Sequence, residues 1–90
     1  MPYAIIAYDK PESLSLRQEM RAAHLAYVAE TGIVQIAGPF LDEKGDMCGS
    51  LVILDTETRK QAERWAEGDP YARAGLFERV EIRAWKKVIG

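Results

Sequence analysis

The stretch Tyr3-Ala-Ile-Ile-Ala-Tyr8 has no polar residue that would mark a solvent face. It is short, rich in strand formers and stopped by Asp9-Lys10-Pro11, so it reads as a β-strand. Successive strand side chains point to opposite faces, so Tyr3, Ile5 and Ala7 look one way and Ala4, Ile6 and Tyr8 the other. Met47 to Leu54 repeats the pattern, with Leu51 and Ile53 opposed to Val52 and Leu54. A sheet built on these strands is apolar on both faces, and both faces need a cover.

Helices supply one cover. The first is expected from about Ser13 or Ser15, where Ser15 and Gln18 have the spacing of a capping box. Leu16, Met20, Ala23 and Tyr27 recur at helical intervals, and Gly32 suits a C-terminal cap. Ile33 to Ala37 reads as a second strand closed by Gly38-Pro39, and Leu41 to Asp46 as a polar hairpin loop before the third strand. Thr58 and Gln61 make another capping box, opening a helix with Ala62, Trp65 and Ala66 on its apolar side. Gly68 ends that helix, and Asp69-Pro70 enforces a break, because a residue before proline is pushed out of helical geometry. A short turn within Tyr71 to Leu76 precedes a last strand from Phe77 to about Lys87.

The order β-α-β-β-α-β predicts one α+β domain over residues 1–90, with a ferredoxin-like antiparallel four-stranded sheet. Helices cover only one face of such a sheet. The simplest cover for the other is the same face of a second copy, giving a homodimer in the form of a dimeric α/β barrel. The last strand alternates Val80, Ile82 and Ala84 with Arg79, Glu81 and Arg83, as an edge strand with one wetter face should.

Composition narrows the functional classes. Ninety residues with a single cysteine, Cys48, and a single histidine, His24, leave no disulfide and make a protein-only zinc site untenable. Twelve basic and fourteen acidic residues, interspersed, argue against nucleic acid. No apolar run approaches the roughly 20 residues of a membrane span, and no secretory leader is visible, so a cytoplasmic protein is expected. No phosphate-binding or dinucleotide motif is present, and no cofactor is expected.

Two groups can move a proton near neutral pH: His24 in the first helix and Asp69 after the second. His24 lies about 70° from the centre of the Leu16-Met20-Ala23-Tyr27 stripe at about 100° per residue, a marginal position that also suits a half-buried histidine bonded to a carbonyl. Arg17 and Arg21 share its side of the helix. Asp69 has its own structural explanation as a turn residue bonding nearby amides. The catalytic reading requires Asp69 to hold one imidazole nitrogen, leaving the other free. Ser50, beside Gly49, can present a hydroxyl to a ligand. Gly38 and Pro39 end a strand or shape a pocket wall, and Tyr8, Tyr27 and Tyr71 are packing residues that can also offer a phenol. Cys48 reads as a small buried hydrophobe, Trp65 as core, and Trp85 as a residue available to a subunit contact.

Several short motifs, taken in order, resemble one family. They are Arg21-x-x-His24-Leu25, Ala37-Gly38-Pro39, Gly49-Ser50, Ala62-x-x-Trp65-Ala66, Asp69-Pro70-Tyr71, Ala74-Gly75-Leu76-Phe77 and Trp85-Lys86-Lys87-Val88. The chain is similar over nearly its whole length to the YciI-like (YCII-related) family of small dimeric α+β barrel proteins. The resemblance implies a His-Asp pair, His24 and Asp69, in a cavity near the dimer interface and bordered by Ser50, Gly38 and Pro39. Dehydrochlorination of a chlorinated hydroxyhydroquinone is attributed to the group. The short loop between Leu41 and Asp46 departs from many relatives.

The expectation is therefore a cofactor-free acid-base enzyme acting on a small hydroxylated aromatic or enolisable compound by elimination or isomerisation. His24 and Asp69 would be catalytic, and Ser50, Gly38, Pro39, Arg21 and Tyr71 would bind substrate. The alternative is a non-catalytic ligand-binding or accessory module of the same fold. A haem-binding or monooxygenase relative is a fold analogy only.

Overall fold

In the computed structural model, which describes residues 1–90, the elements follow the expected order: β1 (Pro2–Asp9), α1 (Leu14–Thr31), β2 (Val34–Leu41), β3 (Met47–Asp55), α2 (Arg59–Gly68), α3 (Pro70–Arg73) and β4 (Phe77–Ala84). They form one antiparallel sheet in the order β2-β3-β1-β4. The two most apolar strands, β1 and β3, are central, and β2 and β4 are the edges.

Residues opposite one another in an antiparallel pair share a face. Ile5 faces Val52 on one side and Ile82 on the other, while Tyr3 faces Leu54 and Ala84. This is the helix-covered face. Ile5, Val52 and Leu54 pack there with Ala62 and Trp65 of α2, flanked by Tyr27 and Val28 of α1. Trp65 is anchored because its indole N–H donates to Thr31 Oγ1 at 2.8 Å. The second face carries Ala4, Ile6, Tyr8, Leu51 and Ile53, extended by Ile36 and Phe40 of β2. Within one chain it is only partly covered: Ala4 and Ile53 are buried, but Ile36 is 66% exposed, and Leu51 and Tyr8 are each 36% exposed.

Local chemistry fixes the helix ends. Thr58 accepts from Gln61 N–H while the Gln61 side chain accepts from Thr58 N–H, completing the box at α2. Gly32 takes the left-handed conformation, φ 65°, and its N–H donates to Val28 O. The box expected at Ser15 and Gln18 does not form. Ser13 is the N-cap of α1, with its hydroxyl donating to Pro11 O rather than capping the helix, so Ser15 falls inside the helix. Gly68 is the last residue of α2, as expected, and Asp69 closes the helix in extended geometry. The missing side chain of Gly68 makes room for Tyr27, because a Cβ there would collide with the Tyr27 hydroxyl oxygen. Gly49 is constrained by backbone, since a Cβ would lie 2.5 Å from Ala7 O.

Two boundaries differ from expectation. β2 does not close at Gly38-Pro39; it continues to Leu41, with Pro39 opposite Ser50. An edge strand needs hydrogen bonds on one side only, so it can hold a proline. β4 ends at Ala84, three residues before the expected Lys87. After it, Trp85 N–H donates to Pro2 O, and Trp85 remains 38% exposed.

Candidate active site

α1 presents its polar residues, not its apolar ones, at the centre of its buried side. Its two fully buried residues are Arg17 and His24, whereas Ala23 is exposed. They are seven residues apart, about two turns, and therefore lie on nearly one line of the helix. His24 is thus at the middle of the packed stripe, a correction to its expected place at the margin. Burying such groups costs free energy unless each is partnered, and both are.

His24 Nδ1 lies 2.8 Å from Asp69 Oδ1, and the histidine is only 8% exposed. Asp69 is the N-cap of α3, and the same Oδ1 accepts the Tyr71 backbone N–H at 3.0 Å. The two explanations of Asp69 are both realised: one carboxylate starts the turn and holds the imidazole. An ionised carboxylate only accepts, so Nδ1 carries the proton toward it, and in the neutral ring Nε2 is the acceptor. The Tyr71 ring stacks on the imidazole at 4.1 Å between centroids and 14° between planes, which fixes the ring plane.

The Arg17 guanidinium also lies over the Tyr71 ring, 4.7 Å from its centroid. Arg17 Nε and Nη2 donate to the two carboxylate oxygens of Asp9 at 2.7 and 2.8 Å, and Nη2 donates also to Ser50 Oγ at 2.9 Å. Burial disfavours this cation, yet Asp9 outweighs it and the Arg17 pKa rises. Burial likewise pushes the Tyr71 phenol above its ordinary value, with Asp69 adding to the rise and Arg17 and Arg21 opposing it.

These groups meet at a cavity of about 190 Å³ between α1, α3, β2 and β3. His24, Tyr71, Ser50, Arg17 and Arg21 form its polar side, and Leu25, Ala37, Pro39, Met47 and Val52 its apolar side, with Gly38 completing the wall. Every substrate-binding residue expected from the sequence lines it, while Asp69 stands behind His24. Tyr8 does not take part: it lies on the second sheet face, stacked on Phe40. Tyr27 is turned to the core, where its hydroxyl donates to Trp65 O at 2.9 Å. Cys48 is half-buried, not enclosed. No group of His, Cys, Asp and Glu residues is arranged to hold a metal ion.

The Asp9–Arg17 pair was missed as part of the site. A signal was present, because Arg17 lies seven residues before His24 and so on the same helical line. A strand-ending aspartate gives no comparable sign of its partner.

The fold and cavity define a ferredoxin-like α+β protein with an oriented histidine in a small pocket, half polar and half apolar. The chain belongs to the YCII-related family, whose domain model matches residues 1–86. It is 38% identical to protein YciI of Escherichia coli O6:H1 over 97 aligned residues, covering 98% of this chain and 99% of that protein. An uncharacterized protein of Haemophilus influenzae is 34% identical with the same coverage. Among solved structures, 5-chloro-2-hydroxyhydroquinone dehydrochlorinase from Burkholderia phenoliruptrix, in complex with 2,5-dihydroxybenzoquinone, superposes with a TM-score of 0.86 and 35% identity, covering 96% of this chain and 94% of that one. An antibiotic biosynthesis monooxygenase matches at a TM-score of 0.60 and 14% identity, a likeness of fold alone. No helix is long and apolar enough to cross a membrane.

Proposed function

We propose that this protein is a cofactor-free acid-base enzyme in which His24, oriented by Asp69, moves a proton on a small hydroxylated aromatic or enolisable substrate. The observation that carries the reading is the 2.8 Å bond from His24 Nδ1 to Asp69, made by a histidine that lines the cavity. That bond fixes the tautomer and commits Nε2 to the substrate side. The cavity size supports a single ring, since an engineered apolar cavity of about 150 Å³ holds benzene. The apolar wall from β2 and β3 suits a ring face, and Ser50, Tyr71 and Arg21 suit its oxygen substituents.

Elimination is the reaction favoured, by similarity to the dehydrochlorinase. The proton of the hydroxyl beside the chlorine moves to the chlorine-bearing carbon, giving a keto tautomer with an sp3 C–Cl bond. His24 Nε2 then takes the proton of a second, conjugated hydroxyl, that O–H pair becomes a carbonyl π bond, the adjacent ring double bond shifts toward the chlorine-bearing carbon, and chloride leaves. Removal of HCl is then complete without an oxidant. General acid-base catalysis supplies about 10²–10⁴-fold, a range suited to such activated substrates. Asp69 stabilises the imidazolium as it forms.

Chloride release from 5-chloro-2-hydroxyhydroquinone tests the reading. Loss of turnover in His24→Ala and Asp69→Asn, with ligand affinity nearly intact, establishes a catalytic site. Loss of binding alone, or of nothing, leaves the non-catalytic module as the function.

A homodimer through the partly covered sheet faces, in a cytoplasmic setting, is proposed with this function. The exposure of Ile36 and Leu51 beside Tyr8 and Phe40 supports the dimer. Sedimentation of a well-folded monomer at micromolar concentration refutes it, and Leu51→Asp should produce monomer.

A further inference from the structure

The cavity wall contains no aspartate or glutamate, in a chain where acidic residues outnumber basic ones by fourteen to twelve. Its charged side chains are Arg17, Arg21 and the ionisable His24. Arg17 is engaged at both carboxylate oxygens by Asp9, so that pair is neutral overall. Asp69 is bonded to the imidazole and does not itself line the cavity. Arg21 is different: it is exposed at the wall and makes none of the ion pairs of the chain. Its charge is felt inside the site, since it opposes the rise of the Tyr71 pKa.

We infer that the cavity selects a single-ring ligand carrying negative charge on a ring oxygen, with Arg21 as the residue that determines this preference. The inference rests on the proton-transfer reading only for the direction in which the charge develops. With neutral His24, the nearest uncompensated charge to a ligand is the Arg21 guanidinium, and Asp69 is screened by the width of the imidazole. Ser50 adds a donor: its oxygen already accepts from Arg17, which leaves its own proton for the ligand. After a proton reaches Nε2, the imidazolium pairs with Asp69 and the ligand anion remains against Arg21 and Ser50. An ionised hydroxyl conjugated with a ring carbonyl spreads its charge over two oxygens and suits two donors set apart on one wall.

Calorimetric titration of the full chain tests this with two probes of similar size. One is 2,5-dihydroxybenzoquinone, whose hydroxyls are vinylogous acids and ionised near neutral pH. The other is hydroquinone, uncharged there because phenols titrate near pH 10. The unaltered protein is expected to bind the anion more tightly. Arg21→Gln is expected to weaken the anion about tenfold, equivalent to about 1.4 kcal/mol, with hydroquinone unchanged. Arg21→Lys should recover most of that loss. Equal weakening of both probes by Arg21→Gln, no weakening of the anion, or no preference in the unaltered protein overturns the inference. Retained turnover in His24→Gln alongside a persistent Arg21 effect defeats the proton-transfer reading and upholds the charge preference.

Discussion

Asp69→Asn separates the two duties of one carboxylate. Asp69 is 4% exposed, and its Oδ1 receives both the His24 Nδ1 proton and the Tyr71 N–H. Asparagine keeps the shape and one acceptor oxygen, so the α3 cap can survive, but it replaces charged bonds by neutral ones. Bonds to charged groups are worth about 1.5–3 kcal/mol and neutral ones about 0.5–1.5, so about 1–2 kcal/mol should be lost. A domain of this length loses roughly 4–8 °C of Tm per kcal/mol, which puts the expected drop at roughly 4–16 °C by calorimetry. The effect on turnover should be larger than stability alone explains. An amide neither fixes the imidazole tautomer as a carboxylate does nor stabilises the imidazolium, and exchanging the orienting Asp for Asn in a serine protease triad costs about 10⁴ in kcat. Here a fall of about 10²–10⁴ in kcat, measured below the variant's Tm, is expected. A variant with the expected Tm drop and unchanged kcat would refute the orienting role and leave Asp69 as a cap only.

Three further outcomes follow from the packing. Arg17→Met should cost about 3–5 kcal/mol in urea denaturation, because it strands the buried Asp9 carboxylate, whereas Arg17→Met with Asp9→Leu should recover a large part. If single and double variants lose equally, the pair does not hold the site. Gly49→Ala should cost about 1–3 kcal/mol through the clash with Ala7 O, while Gly38→Ala, with open space around its Cβ, should be nearly neutral; equal costs would contradict the strand spacing. The Tyr71 and Tyr27 phenols both have pKa values raised by burial. Their contribution to stability is complete below the unfolded tyrosine value, about pH 10, and is lost as pH rises through the folded values. Tyr71→Phe should therefore reduce the alkaline loss of stability, and an unchanged alkaline profile would exclude Tyr71 from it.

Most of the fold was readable because its signals were local. The apolar runs of β1 and β3, the Thr58–Gln61 box and the Asp69-Pro70 break each depend on neighbours in sequence. The errors arose where a distant partner decides. β2 runs through Pro39 because it is an edge strand, and edge position depends on the whole sheet order. The buried line of α1 follows Arg17 and His24 because Asp9 and Asp69 await them across the fold, which a stripe drawn from apolar residues alone cannot show. The expected site residues met at one cavity because four elements, α1, β2, β3 and α3, each brought a motif to it. Asp9 is the one contributor whose local sequence says only that a strand is ending.

Having a single histidine makes the central claim directly measurable. Nitrogen-15 NMR of the histidine-labelled protein, at a pH above the imidazole titration, should show Nδ1 protonated and Nε2 as the bare acceptor. Addition of 2,5-dihydroxybenzoquinone should then shift Nε2 more than Nδ1. A ring protonated at Nε2 and bare at Nδ1, or an Nε2 signal indifferent to the ligand, would contradict the claim that Asp69 holds His24 with its working nitrogen in the cavity.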